Sequence, residues 1–73
     1  LAEDLLIDAE RAARVHHCLD HLDHNQRDNI RAAFFEGRTY ADLAETQDVP
    51  LGTMKSWIRR GMIRLKACLE DAA

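Results

Sequence analysis

The sequence predicts an all-α fold: a four-helix domain with a C-terminal helix-turn-helix and no winged element. Three observations carry this. Apolar residues recur at three- and four-residue steps in four stretches, as helices with one buried face require. The stretches are separated by helix-stopping or capping residues, namely Asp23, Gly37, Thr39, Asp48 and Pro50. A chain of 73 residues also buries only about 60% of the surface its unfolded form exposes, enough for a small helical cluster with a flat face but not for a deep pocket.

The first helix is expected from about Glu3 to Leu22. Leu5, Ala9, Ala12, His16 and Leu19 form its stripe, which Leu6, Ala13, Val15 and Leu22 widen. Asp23 with Gln26 three residues on reads as a capping box for a second helix from His24 to about Glu36. That helix should bury Ile30, Ala33 and Phe34 and stop at Gly37, while Phe35 points away from the buried arc, to fold under the neighbouring loop or to contact another protein. Thr39 followed by Asp42 caps a third helix that starts at Tyr40, with Tyr40, Leu43, Ala44 and Gln47 along its inner stripe. Pro50 pushes Val49 out of helical geometry, so this helix ends near Asp48, a residue tolerant of left-handed backbone.

The fourth helix begins at Leu51 or Gly52 and runs to about Leu69. Met54, Ile58, Met62, Leu65 and Leu69 fall in one arc that should face the core. Ser56, Arg59, Arg60, Ile63 and Ala67 lie opposite, flanked by Lys55 and Lys66 on one side and by Trp57 and Arg64 on the other. The helix-turn-helix therefore spans about residues 39–68.

The net charge of -3 hides a strong polarity along the chain. Residues 1–50 carry eleven acids and five bases, whereas residues 51–66 carry five bases and no acid. A local basic field of this kind attracts polyanions whatever the total charge. Thr53, Lys55, Ser56, Arg59 and Arg60 supply donors for phosphates and purine edges, as a helix entering the major groove needs.

Other function classes find less support. Cys18 and Cys68 lie far apart without metal-type spacing and read as small buried side chains rather than a disulfide. His17 and His21 stand one turn apart, a spacing that can chelate zinc or nickel, but His16 lies on the apolar stripe and Asp23 carries His24 off that face. The expectation is a solvated histidine face with no metal and no cofactor. No glycine-rich loop or acid pair accompanies these residues, so no enzyme is expected. The chain has no bilayer-length apolar run or signal-peptide pattern and is read as a cytoplasmic protein. It begins mid-pattern without Met, which suggests a piece of a longer protein.

Three segments resemble the C-terminal promoter-binding region, region 4, of bacterial extracytoplasmic-function sigma factors: LDHNQR (Leu22 to Arg27), EGRTYADLA (Glu36 to Ala44) and VPLGTMKSWIRRG (Val49 to Gly61). With the leading helix they cover nearly all of the chain. The Gly-Thr-Met-Lys-Ser run after a proline turn is far more specific than a generic helix-turn-helix. Asp23, Arg38, Asp48, Met54 and Trp57 depart from the family's usual wording.

The resemblance implies that residues 1–73 form a region 4 domain of a longer sigma factor, reading the −35 promoter element while docked on the β flap of RNA polymerase to direct transcription initiation. By position, Lys55, Ser56, Arg59 and Arg60 sit in or over the major groove, with Arg38, Thr39 and Thr53 at the backbone. Trp57 stands where arginine is common and either packs at the core edge or stacks on sugar and base. Phe35 and Ile63 are the candidates for contact with a protein partner, which in many relatives is an anti-sigma factor. The alternatives are a protein-interaction module sequestered by such a factor and the output domain of a stand-alone regulator.

Overall fold

A computed structural model describes the backbone of residues 2–71 and the side chains of residues 9–71. It contains α1 (Ala2–Leu19), α2 (His24–Phe35), α3 (Tyr40–Gln47) and α4 (Leu51–Asp71), with no strand among the described residues. The all-α, four-helix expectation holds. α4 is the axis of the domain, since α1, α2 and α3 each pack against it.

The core gathers residues from all four helices. Cys18, Leu19 and Leu22 come from the end of α1 and the turn after it, Ile30 and Ala32 from α2, Leu43 and Ala44 from α3, and Met54, Ile58 and Leu65 from α4. Each large aliphatic side chain buried in this way contributes about 1.5–3 kcal/mol.

Gly61 decides how closely α2 and α4 approach. It is buried, and a Cβ added there would lie 2.6 Å from Ile30 Cδ1 and 2.9 Å from Gln26 Cβ. The second atom is fixed to the α2 backbone and cannot move aside cheaply. The arc of α4 that meets the core is therefore Met54, Ile58, Gly61 and Leu65. Met62, expected in the core, lies at the margin and is 39% exposed.

The same rotation appears in α2. Its buried residues are Gln26, Asn29, Ile30 and Ala32. Ala33 is half-buried, and Phe34, expected inside, is 55% exposed at the edge of the arc. Two polar residues and a glycine occupy inner positions, so an apolar stripe alone misplaces the face by about one residue.

α1 also departs from expectation. It ends at Leu19 rather than Leu22, and the chain tightens through His21 N–H to Cys18 O and Leu22 N–H to Leu19 O. Ala9, Ala12, Ala13 and His16 are exposed, because only the C-terminal end of α1 reaches the core, through half-buried Val15 and buried Cys18 and Leu19. Leu5 and Leu6 lie outside the described side chains.

The capping box at the start of α2 does not form. Asp23 has the extended backbone of a cap residue but makes no side-chain cap bond. Arg64 instead donates to Asp23 Oδ2 at 3.3 Å and to Gln26 Oε1 at 3.2 Å, drawing both acceptors toward α4. Gly37 stops the helix as expected, with φ of 70°, and Arg38 N–H donates back to Ala32 O.

The cysteine expectation is overturned, since Cys18 and Cys68 form a disulfide across a sequence separation of 50. Helix packing brings their Cα atoms to 5.8 Å, inside the range a bridge needs. The bond ties the end of α1 to the last turns of α4.

Gly61→Ala should destabilise the domain by about 1–2 kcal/mol in urea unfolding, because overpacking outweighs the helix propensity gained. Gly52→Ala should be neutral or mildly stabilising, because nothing lies within 4 Å of its added Cβ. Reducing the disulfide should lower stability by about 2–4 kcal/mol through the entropy regained by the unfolded chain, read as a fall in the urea midpoint.

Candidate nucleic-acid interface

The connection between α3 and α4 is built from local backbone chemistry. Thr39 Oγ1 accepts from Asp42 N–H at 3.0 Å, capping α3 as its sequence predicts. Asp48 closes the helix in the left-handed conformation, at φ 55° and ψ 47°. Val49 N–H then donates to Ala44 O, and Pro50 O accepts from Met54 N–H in the first turn of α4. The short α3 and the long α4 are thus joined by a turn that leaves neither end frayed.

Polar contacts hold α3 in place. Asn29, 2% exposed, exchanges hydrogen bonds with Gln47: Asn29 Nδ2 donates to Gln47 Oε1 at 3.2 Å, and Gln47 Nε2 donates to Asn29 Oδ1 at 2.5 Å. Asn29 Nδ2 also donates to Asn25 O, so neither buried end of its amide lacks a partner. An unmatched amide here would cost about 1–3 kcal/mol, which makes the pair a strict requirement on how α3 sits against α2. At the solvent side Arg38 Nη2 donates to Thr46 Oγ1, and that hydroxyl donates on to Asp42 O.

Burial of Met54 and Ile58 sets the rotation of α4 and turns Lys55, Arg59 and Arg60 to solvent. Thr53 and Ser56 are half-buried at the sides of this face. The bases of α2 and α4 divide sharply. Arg27, Arg31, Arg64 and Lys66 are paired with Asp28, Asp20, Asp23 and Glu70 respectively. Among the described residues Lys55, Arg59 and Arg60 have no carboxylate partner, so their donors are uncommitted. An anion meeting them displaces only water.

The other candidates take different places. Arg38 and Thr39 stand together at the entrance to α3, where the Thr39 oxygen is used for capping and its hydroxyl proton is not. Trp57 is half-buried and packs against the core, the first of the two placements its sequence position allows. Ile63 is 61% exposed on the outer side of α4, while Phe35 stacks on His16 with ring centroids 5.4 Å apart.

The structure does not bring Phe35 and Ile63 into one groove. Ile63 lines an open apolar groove with Met62, Leu65 and Leu69, bordered by Arg59 and Lys66. Met62 is the surface residue that the spacing misassigns to the core arc; the signal that frees it is Gly61, which takes the inner position, while Leu69 stays half-buried against the core as expected.

Residues 12–65 match the family described as Sigma-70, region 4. The chain is 44% identical over 72 residues to the ECF RNA polymerase sigma factor SigK of Mycolicibacterium vanbaalenii, covering 99% of this chain and 36% of that protein. It is 36% identical over 74 residues to the ECF RNA polymerase sigma factor SigK of Mycobacterium ulcerans, covering 96% and 40%. Against the factor of the same name from Mycobacterium tuberculosis it is 34% identical over 67 residues, covering 92% and 36%. The chain spans little more than a third of the length of these curated relatives.

Proposed function

This chain belongs to the Sigma-70 region 4 family, and we propose that it is the DNA-reading domain of an extracytoplasmic-function sigma factor, which recognises the −35 promoter element during transcription initiation. The observation that carries the reading is the uncommitted basic face of α4. Lys55, Arg59 and Arg60 are exposed and unpaired among the described residues, on a helix whose rotation is fixed by buried Met54 and Ile58.

In this reading α4 enters the major groove, where Arg59 or Arg60 can pair with a guanine edge through two donors and Lys55 and Ser56 reach neighbouring bases or phosphates. Arg38, Thr39 and Thr53 donate to the backbone and fix the register. Trp57, packed against the core, supports the helix and presents its outer edge to the sugar-phosphate chain. The domain acts as one part of a longer cytoplasmic factor, with RNA polymerase core and its β flap as partner. No helix among the described residues is long and apolar enough to cross a membrane.

A second reading is favoured by the groove along the far half of α4. Its apolar lining and exposed Met62 and Ile63 suit a protein partner, including an anti-sigma factor, that covers the groove and the adjoining Arg59 together. Phe35 offers a separate apolar contact at the end of α2.

The test is binding to a duplex selected from a randomised pool. Arg60→Ala should weaken binding by about 1–3 kcal/mol and relax the preference at one base pair. Lys55→Ala should lower the slope of log affinity against log salt by about 0.9 if Lys55 neutralises one phosphate. Arg31→Ala, which removes a base already paired with Asp20, should change neither. Equal losses from Arg31→Ala and Arg60→Ala would reduce the basic face to nonspecific charge.

A further inference from the structure

The end of α1 and the turn after it carry a feature that DNA reading does not use. His17 and His21 are both exposed, and their Nε2 atoms converge to 3.3 Å. Their rings meet edge to face, with centroids 4.7 Å apart. His16 turns away to stack on Phe35, and His24 lies beyond the turn at the start of α2. Two of the four histidines are thus singled out, with their Nε2 atoms side by side.

The backbone beneath them is held. Asp20 N–H donates to His16 O and His21 N–H to Cys18 O, so a tight hydrogen-bonded turn carries the chain from the end of α1 to His21. Cys18, between the two histidines, is buried and bonded to Cys68. An ion binding the pair would meet a preformed backbone and would order only two side chains.

We propose that His17 and His21 form a two-histidine site for a divalent transition-metal ion of the imidazole-binding class, such as zinc or nickel. Nitrogens bound about 2.0–2.1 Å from a tetrahedral ion stand about 3.3–3.4 Å apart, which is the separation found. Without an ion, Nε2–H of one ring donates a hydrogen bond to Nε2 of the other; on binding, the donor ring carries its proton on Nδ1 instead, so that both Nε2 lone pairs are free for the ion. Imidazole selects zinc, nickel and copper over magnesium and calcium, which take oxygen ligands.

Among the described residues no third histidine, cysteine or carboxylate joins the pair to complete a larger ligand group. Water fills the remaining positions, so the bound ion exchanges and is not a structural zinc. The Cys18–Cys68 bond withholds both thiolates, leaving the imidazoles as the ligands that this end of the domain offers. Binding joins α1 to the turn that leads into α2 and should stabilise the native state by linkage.

The experiment titrates the disulfide-bonded chain with Zn2+ alone, and separately with Mg2+, by calorimetry and by the imidazole NMR resonances. One Zn2+ per chain is expected, with shifts confined to His17 and His21 and no response to Mg2+. His17→Ala and His21→Ala should each weaken binding on the order of tenfold or more, as loss of one of two ligands demands. His16→Ala and His24→Ala should leave it unchanged. Zn2+ should raise the melting temperature of the parent chain but not of the His17→Ala variant. No uptake at millimolar Zn2+ overturns the proposal, as does uptake that survives the double variant His17→Ala/His21→Ala or that falls equally in His24→Ala.

Discussion

The close approach of α2 and α4 at Gly61 is the constraint on which the rest of the domain depends. With no side chain at that position, Ile30 and Gln26 rest directly on the α4 backbone. Once the two helices are that near, Arg64 can reach both Asp23 and Gln26 from one turn further along. Asn29, on the neighbouring inner position of α2, is left facing α3, where Gln47 completes its amide. α3 is thereby held against α2 on one side and by buried Leu43 and Ala44 on the other. A larger residue at position 61 would disturb all of these contacts, including the angle at which α4 leaves the turn.

α4 consequently has two jobs along its length. Its first half buries Met54 and Ile58 and turns three unpaired bases outward. Its second half buries Leu65, is bonded to α1 through Cys68, and leaves Met62, Ile63 and Leu69 along an open groove. The bases in this second half, Arg64 and Lys66, are paired with Asp23 and Glu70. Those exposed pairs add little to stability, but they remove positive charge from the far half of the helix and leave the basic field concentrated on the near half. The result is a charge gradient along a single helix in a chain whose total charge is negative.

The parts of this arrangement fixed by local chemistry were legible in the sequence. The Thr39 cap, the left-handed Asp48, the proline turn and the stop at Gly37 each depend on one residue's backbone preference and its near neighbours. The basic face was legible because helical periodicity needs no tertiary information. Phe34 and Met62 were misplaced for one shared reason: the inner positions belong to Gln26, Asn29 and Gly61, whose fitness for burial comes from partners on another helix. Asp23 looked like a capping-box residue because its competitor, Arg64, is 41 residues away in sequence. The disulfide was missed because sequence spacing says nothing of a pairing that the packing of α1 on α4 creates.

In the proposed function, the outer face of the first half of α4, set by Gly61 and the burial of Met54 and Ile58, is the surface that meets DNA. Mapping backbone amide shifts of the labelled chain during titration with a selected promoter duplex tests this most directly. The largest changes are expected at Thr39 and from Thr53 to Arg60, with Val15 to Leu22 and the Cys68 turn nearly unmoved. Changes centred on α1 and the Phe34–Phe35 end of α2, with α4 silent, would contradict it.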